Sequence, residues 1–115
     1  METRISTPWG RSQTEREIAP GLLLVTTASH GGLLLAPDRV AELRAKVPSF
    51  VPFAGLPWLE EDCDVYAAIA LWPEAFQPVS PAELRRTLNG MVTQCQMERY
   101  RPILDYIEHQ IQVQP

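Results

Sequence analysis

The chain predicts an α+β fold: a small N-terminal antiparallel β-hairpin or short sheet packed on three to four α-helices. Two signals carry this. Ala19-Pro20-Gly21-Leu22 is a turn joining a polar strand-like run to an apolar one, and Ser80-Pro81-Ala82-Glu83 is a capping box ahead of an apolar series at helical spacing. At 115 residues, with 45% apolar and 21% charged side chains, the chain has the size and composition of one globular domain. The expected division is 1–8 as a flexible lead-in, 9–36 as the β part, and 37–112 as mainly helical.

Each element follows from local chemistry. Arg11 to Ile18 is polar and reads as an edge strand. In the turn that follows, Pro20 presets one central residue and Gly21 accepts the positive φ of a type II turn. Leu22 to Ala28, rich in Leu, Val and Thr, is the second strand. Gly31-Gly32 interrupts the pattern, and Leu33 to Leu35 resumes as a short third strand or an apolar plug. Pro37 suits a first helical turn, Val40, Leu43 and Val47 share a face, and Pro48 stops that helix. The segment 48–58 holds three prolines and three aromatics and is expected to lie as an ordered loop with its rings buried.

Glu60, Glu61, Asp62 and Asp64 complement the positive end of a helix dipole, so a helix is expected from about Leu59 to Leu71. The eight apolar residues Val65 to Trp72 also fit a buried strand. Leu84, Leu88, Met91 and Cys95 form an apolar seam after the capping box, and a last helix around Pro102 buries Ile103, Ile107 and Ile111 before a fraying QVQP tail. That seam would also suit a dimerisation module, leaving monomer and homodimer both open.

Composition excludes several classes. No apolar run approaches the ~20 residues needed to span a bilayer, and the N-terminus lacks the basic and apolar regions of an export signal. A cytoplasmic protein with no membrane partner is expected. Its two cysteines, Cys63 and Cys95, are then reduced and partly buried. Net charge is −4, and the four acids between Glu60 and Asp64 account for it. One lysine, Lys46, and scattered arginines make a poor electrostatic footprint for direct nucleic-acid binding.

Two segments carry candidate chemistry. Ser29, His30, Gly31 and Gly32 form a possible functional site, because glycines admit a ligand to the backbone and a histidine at a strand end can act as base or ligand. The bland alternative is that the glycines turn the chain while His30 bonds a nearby carbonyl. Glu60, Glu61, Asp62 and Asp64 are candidate partner-binding residues, since concentrated charge steers association with a basic surface; a solvated helix start is the alternative. Their spacing matches no calcium loop, and no metal or other cofactor is expected. Cys63 lies between two acids, which opposes a thiolate nucleophile. Trp9, Trp58, Trp72 and the Phe50/Phe53 pair are expected to pack internally.

The ordered pattern TPWG-x-SQ, APG, TASHGG and W-x-EED-C, from about Thr7 to Phe76, resembles an uncharacterised domain of phage, plasmid and bacterial proteins. The helices from Ser80 onward match nothing visibly. The resemblance implies a mobile-element origin, and small acidic proteins of that origin look like inhibitors of host defence, anti-CRISPR proteins among them. The resembled domain carries no activity of its own. The analogy with those inhibitors leads to the expectation of a non-enzymatic DNA mimic that binds a basic nucleic-acid-binding surface, such as that of a Cas effector subunit, through its acidic patch. The alternative is a small enzyme centred on His30, which requires the SHGG and EEDC segments to meet in space.

Overall fold

The computed structural model describes residues 5–113. Residues 1–4 and 114–115, where parts of the expected lead-in and tail fall, lie outside the described residues. The architecture is α+β, with a two-stranded and a four-stranded antiparallel sheet and four α-helices. The chain forms two compact units interleaved in sequence. The first comprises the residues up to Ala41 with Pro52–Val65, and the second Glu42–Val51 with Tyr66 onward.

In the first unit, β1 (Ser6–Thr7) pairs with β2 (Gly10–Arg11), so residues 6–8, expected to be flexible, are ordered. Ser12 fixes this hairpin: its buried hydroxyl accepts from the Ile5 amide at 2.8 Å while its own amide donates to the Ile5 carbonyl at 2.9 Å. The main sheet has the order β3 (Thr14–Ala19), β4 (Leu22–Thr26), β5 (Gly31–Leu35), β6 (Trp58–Glu60). The polar β3 is an edge strand, as its composition predicts. The Pro-Gly turn forms with Gly21 at φ +81°, and the Arg39 guanidinium closes over it with two bonds to the Pro20 carbonyl, 2.7 and 3.0 Å.

Register sets the two faces of this sheet. Leu22 lies opposite Leu35, Leu24 opposite Leu33, and Leu33 in turn opposite Leu59. Side chains alternate, so these leucines share one face, and Leu22, Leu33, Leu35 and Leu59 are buried there to 2% exposure or less. The other face carries His30, Gly32 and Leu34 from the β5 side and Trp58 and Glu60 from β6. The expected helix from Leu59 is therefore a three-residue strand, then a turn over Glu61–Asp64, then the seven-residue α2 (Val65–Leu71). Pairing of Leu59 with Leu33 outweighs helix formation here, because it completes the leucine face.

The second unit is helical. Helix α1 (Pro37–Lys46) begins in the first unit, and its Leu43, with Val47 beyond it, is buried as the spacing predicts. Ala67, Ala68, Ala70 and Leu71 of α2 are buried almost all round, which resolves the helix-or-strand ambiguity as a central helix. The buried Trp72 indole donates to Glu42 Oε1 at 2.9 Å, and Glu42 Oε2 takes Lys46 Nζ at 2.8 Å, which holds the lysine above its ordinary pKa. In α3 (Pro81–Thr93) the Ser80 hydroxyl accepts from the Glu83 amide at 3.1 Å, the capping bond read from sequence. Leu84, Leu88 and Met91 are buried in this unit, as are Ile103 and Ile107 of α4 (Arg101–Val113), so these positions of the seam are core, while Ile111, expected to be buried with them, is half-buried. Phe50 packs against Tyr100 with ring centroids 5.5 Å apart. Two expectations fail: Phe53 is 49% exposed, and Cys95 lies beyond the end of α3 and is exposed.

The α3 C-terminus closes with the Met97 amide on the Met91 carbonyl, 2.9 Å, and places Gln96 at φ +56°. A residue with a Cβ is strained there, and glycine is the usual occupant. Gln96→Gly should therefore raise stability by about 1 kcal/mol, read as a higher midpoint in urea with an unchanged slope.

Candidate functional site

The two segments singled out by sequence meet at one end of the main sheet. Gly32 pairs with Glu60, and the Glu61 amide donates to the Gly31 carbonyl at 3.0 Å, so the antiparallel register carries on past the strand ends. It sets His30 opposite Asp62 and diagonal to Glu60. His30 Nε2 lies 3.5 Å from Glu60 Oε2 and 3.4 Å from Asp62 Oδ2, and Nδ1 lies 3.7 Å from Glu61 Oε1.

His30 is held from its own hairpin. The Thr27 hydroxyl accepts from the His30 amide at 3.0 Å and donates to the His30 carbonyl at 2.7 Å, and the Thr27 amide donates to the same carbonyl. The turn is made by Ala28-Ser29; Gly31 and Gly32 are buried strand residues, which corrects the view that the glycines turn the chain. Their role is close approach. A Cβ on Gly31 would meet the Val25 carbonyl at 2.6 Å, and one on Gly32 would meet the Leu59 carbonyl and, at 2.5 Å, the Trp9 ring. Trp9 thus covers Gly32, and it contacts both Trp58 (5.6 Å, edge-on) and His30 (6.4 Å). Sequence reasoning treated both tryptophans as packing and did not attach them to this site; Trp58 stands two residues from Glu60, on the same face.

The acidic cluster is four groups in two roles. Asp64 is fully buried. Its Oδ1 accepts from the Phe53 amide at 2.9 Å, and its Oδ2 from the amides of Ala54 and Glu60 at 3.0 and 3.1 Å. It is a structural clamp and is removed from the expected partner-binding set, because a buried carboxylate engaged by three amides presents nothing outward. Glu60 is half committed: Oε1 accepts from the Cys63 amide at 2.6 Å, while Oε2 faces His30, and the side chain is only 16% exposed. Glu61 and Asp62 are open, at 45% and 64%. Among the described residues, the ion pairs of Glu60, Glu61 and Asp62 are all with His30.

His30 Nδ1 lies 3.2 Å from the Ser29 carbonyl, which can only accept, so Nδ1 carries the proton in that bond. This contact is the largest influence and raises the imidazole above its ordinary value of 6.5; desolvation opposes it, and the charges of Asp62, Glu61 and Glu60 add to the rise. Ser29 itself is exposed and meets the ring through its backbone.

With this geometry in hand, the chain can be placed among known domains. A family model described as "Domain of unknown function (DUF7007)" matches residues 2–111. The chain belongs to the DUF7007 family. No curated protein and no solved structure matches it significantly. The DUF7007 match continues through the helices after Ser80, where the sequence pattern alone stopped near Phe76. No helix among the described residues is long and apolar enough to cross a membrane.

Two outcomes follow from the DUF7007 site geometry. Asp64→Asn puts a donor against at least one of three amide donors and should cost about 3 kcal/mol in chemical denaturation, whereas Asp62→Asn and Glu61→Gln should stay within about 0.5 kcal/mol of the parent. An NMR titration should place His30 above 6.5, the direction of the shift found here, and move it only part-way back in the Glu61→Gln/Asp62→Asn double variant, since the Ser29 carbonyl remains. The sign for stability follows: a raised folded value means the His30 contacts stabilise fully below pH 6.5 and fade as pH rises through the folded value.

Proposed function

We propose that this domain is a non-enzymatic binding module that lays Glu61 and Asp62, backed by Glu60, on the basic surface of a protein partner. The observation that carries this reading is the outward exposure of two adjacent carboxylates, 45% and 64%, on a turn whose backbone the buried Asp64 holds in place. A pre-ordered pair of charges loses little freedom on binding, so its attraction to Arg or Lys is retained as affinity and rate. The scarcity of lysine and the scattered arginines favour a protein over a nucleic acid as the partner.

The class of partner comes from the mobile-element resemblance of the TPWG, TASHGG and EED-C segments. It supports an inhibitor of host defence, of anti-CRISPR type, that occupies a nucleic-acid-binding surface of a Cas protein. The patch has three carboxylates, not the four expected from sequence, and a histidine stands among them.

A second reading, a small enzyme using His30 as acid or base, is favoured by the 3.4–3.7 Å approach of the ring to three carboxylates. The two readings differ in what charge reversal does beside an intact His30. Glu61→Lys/Asp62→Lys, which retains His30 and Glu60, should abolish capture of a partner from host lysate while leaving the thermal midpoint nearly unchanged. Capture by the parent should also fail when salt is raised from about 0.1 M to about 1 M, which cuts the Debye length from about 10 Å to about 3 Å. Undiminished capture by the reversed protein at low salt contradicts the binding-module reading.

A further inference from the structure

We infer that His30, Glu60 and Asp62 form a divalent transition-metal site of the zinc type, with Nε2, Oε2 and Oδ2 as its three protein ligands. These three atoms lie within 4.8 Å of one another, two of them from the β6 end and one from the β4–β5 hairpin. The donor set mixes one imidazole nitrogen with two carboxylate oxygens. Imidazole suits zinc and its neighbours, while calcium and magnesium take oxygen donors almost exclusively.

Three features distinguish this set from acids that merely share a surface. The first is separation. Nε2 stands 3.5 Å from Glu60 Oε2 and 3.4 Å from Asp62 Oδ2, beyond the ~2.8 Å of a charge-assisted hydrogen bond. Two donors each about 2.0–2.1 Å from one tetrahedral ion stand about 3.3–3.4 Å apart. The ring is spaced from both carboxylates as co-ligands are.

The second is the orientation of the histidine. Nδ1 is engaged by the Ser29 carbonyl at 3.2 Å, which fixes the tautomer with its proton on Nδ1 and leaves the Nε2 lone pair on the side of the two carboxylates. A backbone carbonyl on the far nitrogen is the usual outer support of a metal-bound histidine. The third is the orientation of Glu60. Its Oε1 is tied to the Cys63 amide at 2.6 Å, so Oε2 is the oxygen directed to the ring. Asp62, at 64% exposure, is the most solvent-accessible of the three ligands and keeps the site open to an entering ion. Three protein ligands leave a fourth tetrahedral position for water or for a donor from a partner.

This inference does not rest on the protein-partner reading, and the two separate experimentally, because Glu61 serves only the partner and His30 mainly the metal. Zinc chloride titrated into the full chain by calorimetry should give one saturable site, with magnesium and calcium showing at least about tenfold weaker binding. His30→Ala, at a half-buried position, and Asp62→Asn, at an exposed one, should each weaken zinc binding by more than about tenfold, a loss that removal of even an outer support produces. Glu61→Gln and His109→Ala should change it less than about threefold, and Cys63→Ser should leave it intact. A long-range proton–nitrogen NMR spectrum should show Nε2 of His30, not Nδ1, shifted by the metal. No saturable zinc binding, parent-like binding by His30→Ala, or loss of binding in Cys63→Ser overturns the assignment.

Discussion

The buried carboxylate of Asp64 is the constraint on which the first unit is organised. Three backbone amides, from Phe53, Ala54 and Glu60, converge on it. Two come from a proline-rich loop that has no ladder of its own, and one from the last residue of the edge strand β6. Left unpaired in the interior, each of those amides would cost about 1–3 kcal/mol; gathered on one acceptor pair, they fix where the loop ends and where the turn after β6 begins. The turn in question carries Glu61 and Asp62, and its start carries Glu60.

Everything proposed for the domain follows from that placement. With β6 held in register, Gly32 meets Glu60, and the same register extended by two residues brings His30 opposite Asp62. Glycine is required at 31 and 32 because backbone and the Trp9 ring fill the space a Cβ would take. The result is a shallow patch with an imidazole among three carboxylates and two tryptophans at its edge. An anionic patch with a nitrogen donor at its centre can attract a cationic side chain or a metal ion, and the two differ in which atoms they use.

Much of the fold was legible in the chain, and the failures have a common cause. Pro20-Gly21, Pro37, Pro48 and Ser80-Pro81 each act through their own backbone or the next turn, so local chemistry located their elements. The helix expected from Leu59 failed because Asp64 answers to amides ten and eleven residues upstream, and Leu59 to a strand partner at Leu33. Neither contact leaves a periodic trace. Four acids in five residues read equally well as a helix start, and only the tertiary partner of Asp64 separates the buried acid from the exposed ones. The SHGG segment stands out as unusual, but its glycines fit a ligand approach or a turn equally, because nothing in the sequence says that Leu59 and Trp9 press against them. Cys95 was placed on a seam by counting, yet the helix ends at Thr93.

Amide hydrogen exchange at Phe53, Ala54 and Glu60 tests the Asp64 clamp most directly. Phe53 and Ala54 lie in a loop and Glu60 at a strand end, positions that ordinarily exchange by local opening at little cost. The account predicts that all three are protected to within about 1 kcal/mol of the Leu33 amide in the inner strand β5. Exchange of these three at the rates of an open loop, with the sheet centre still protected, would contradict it.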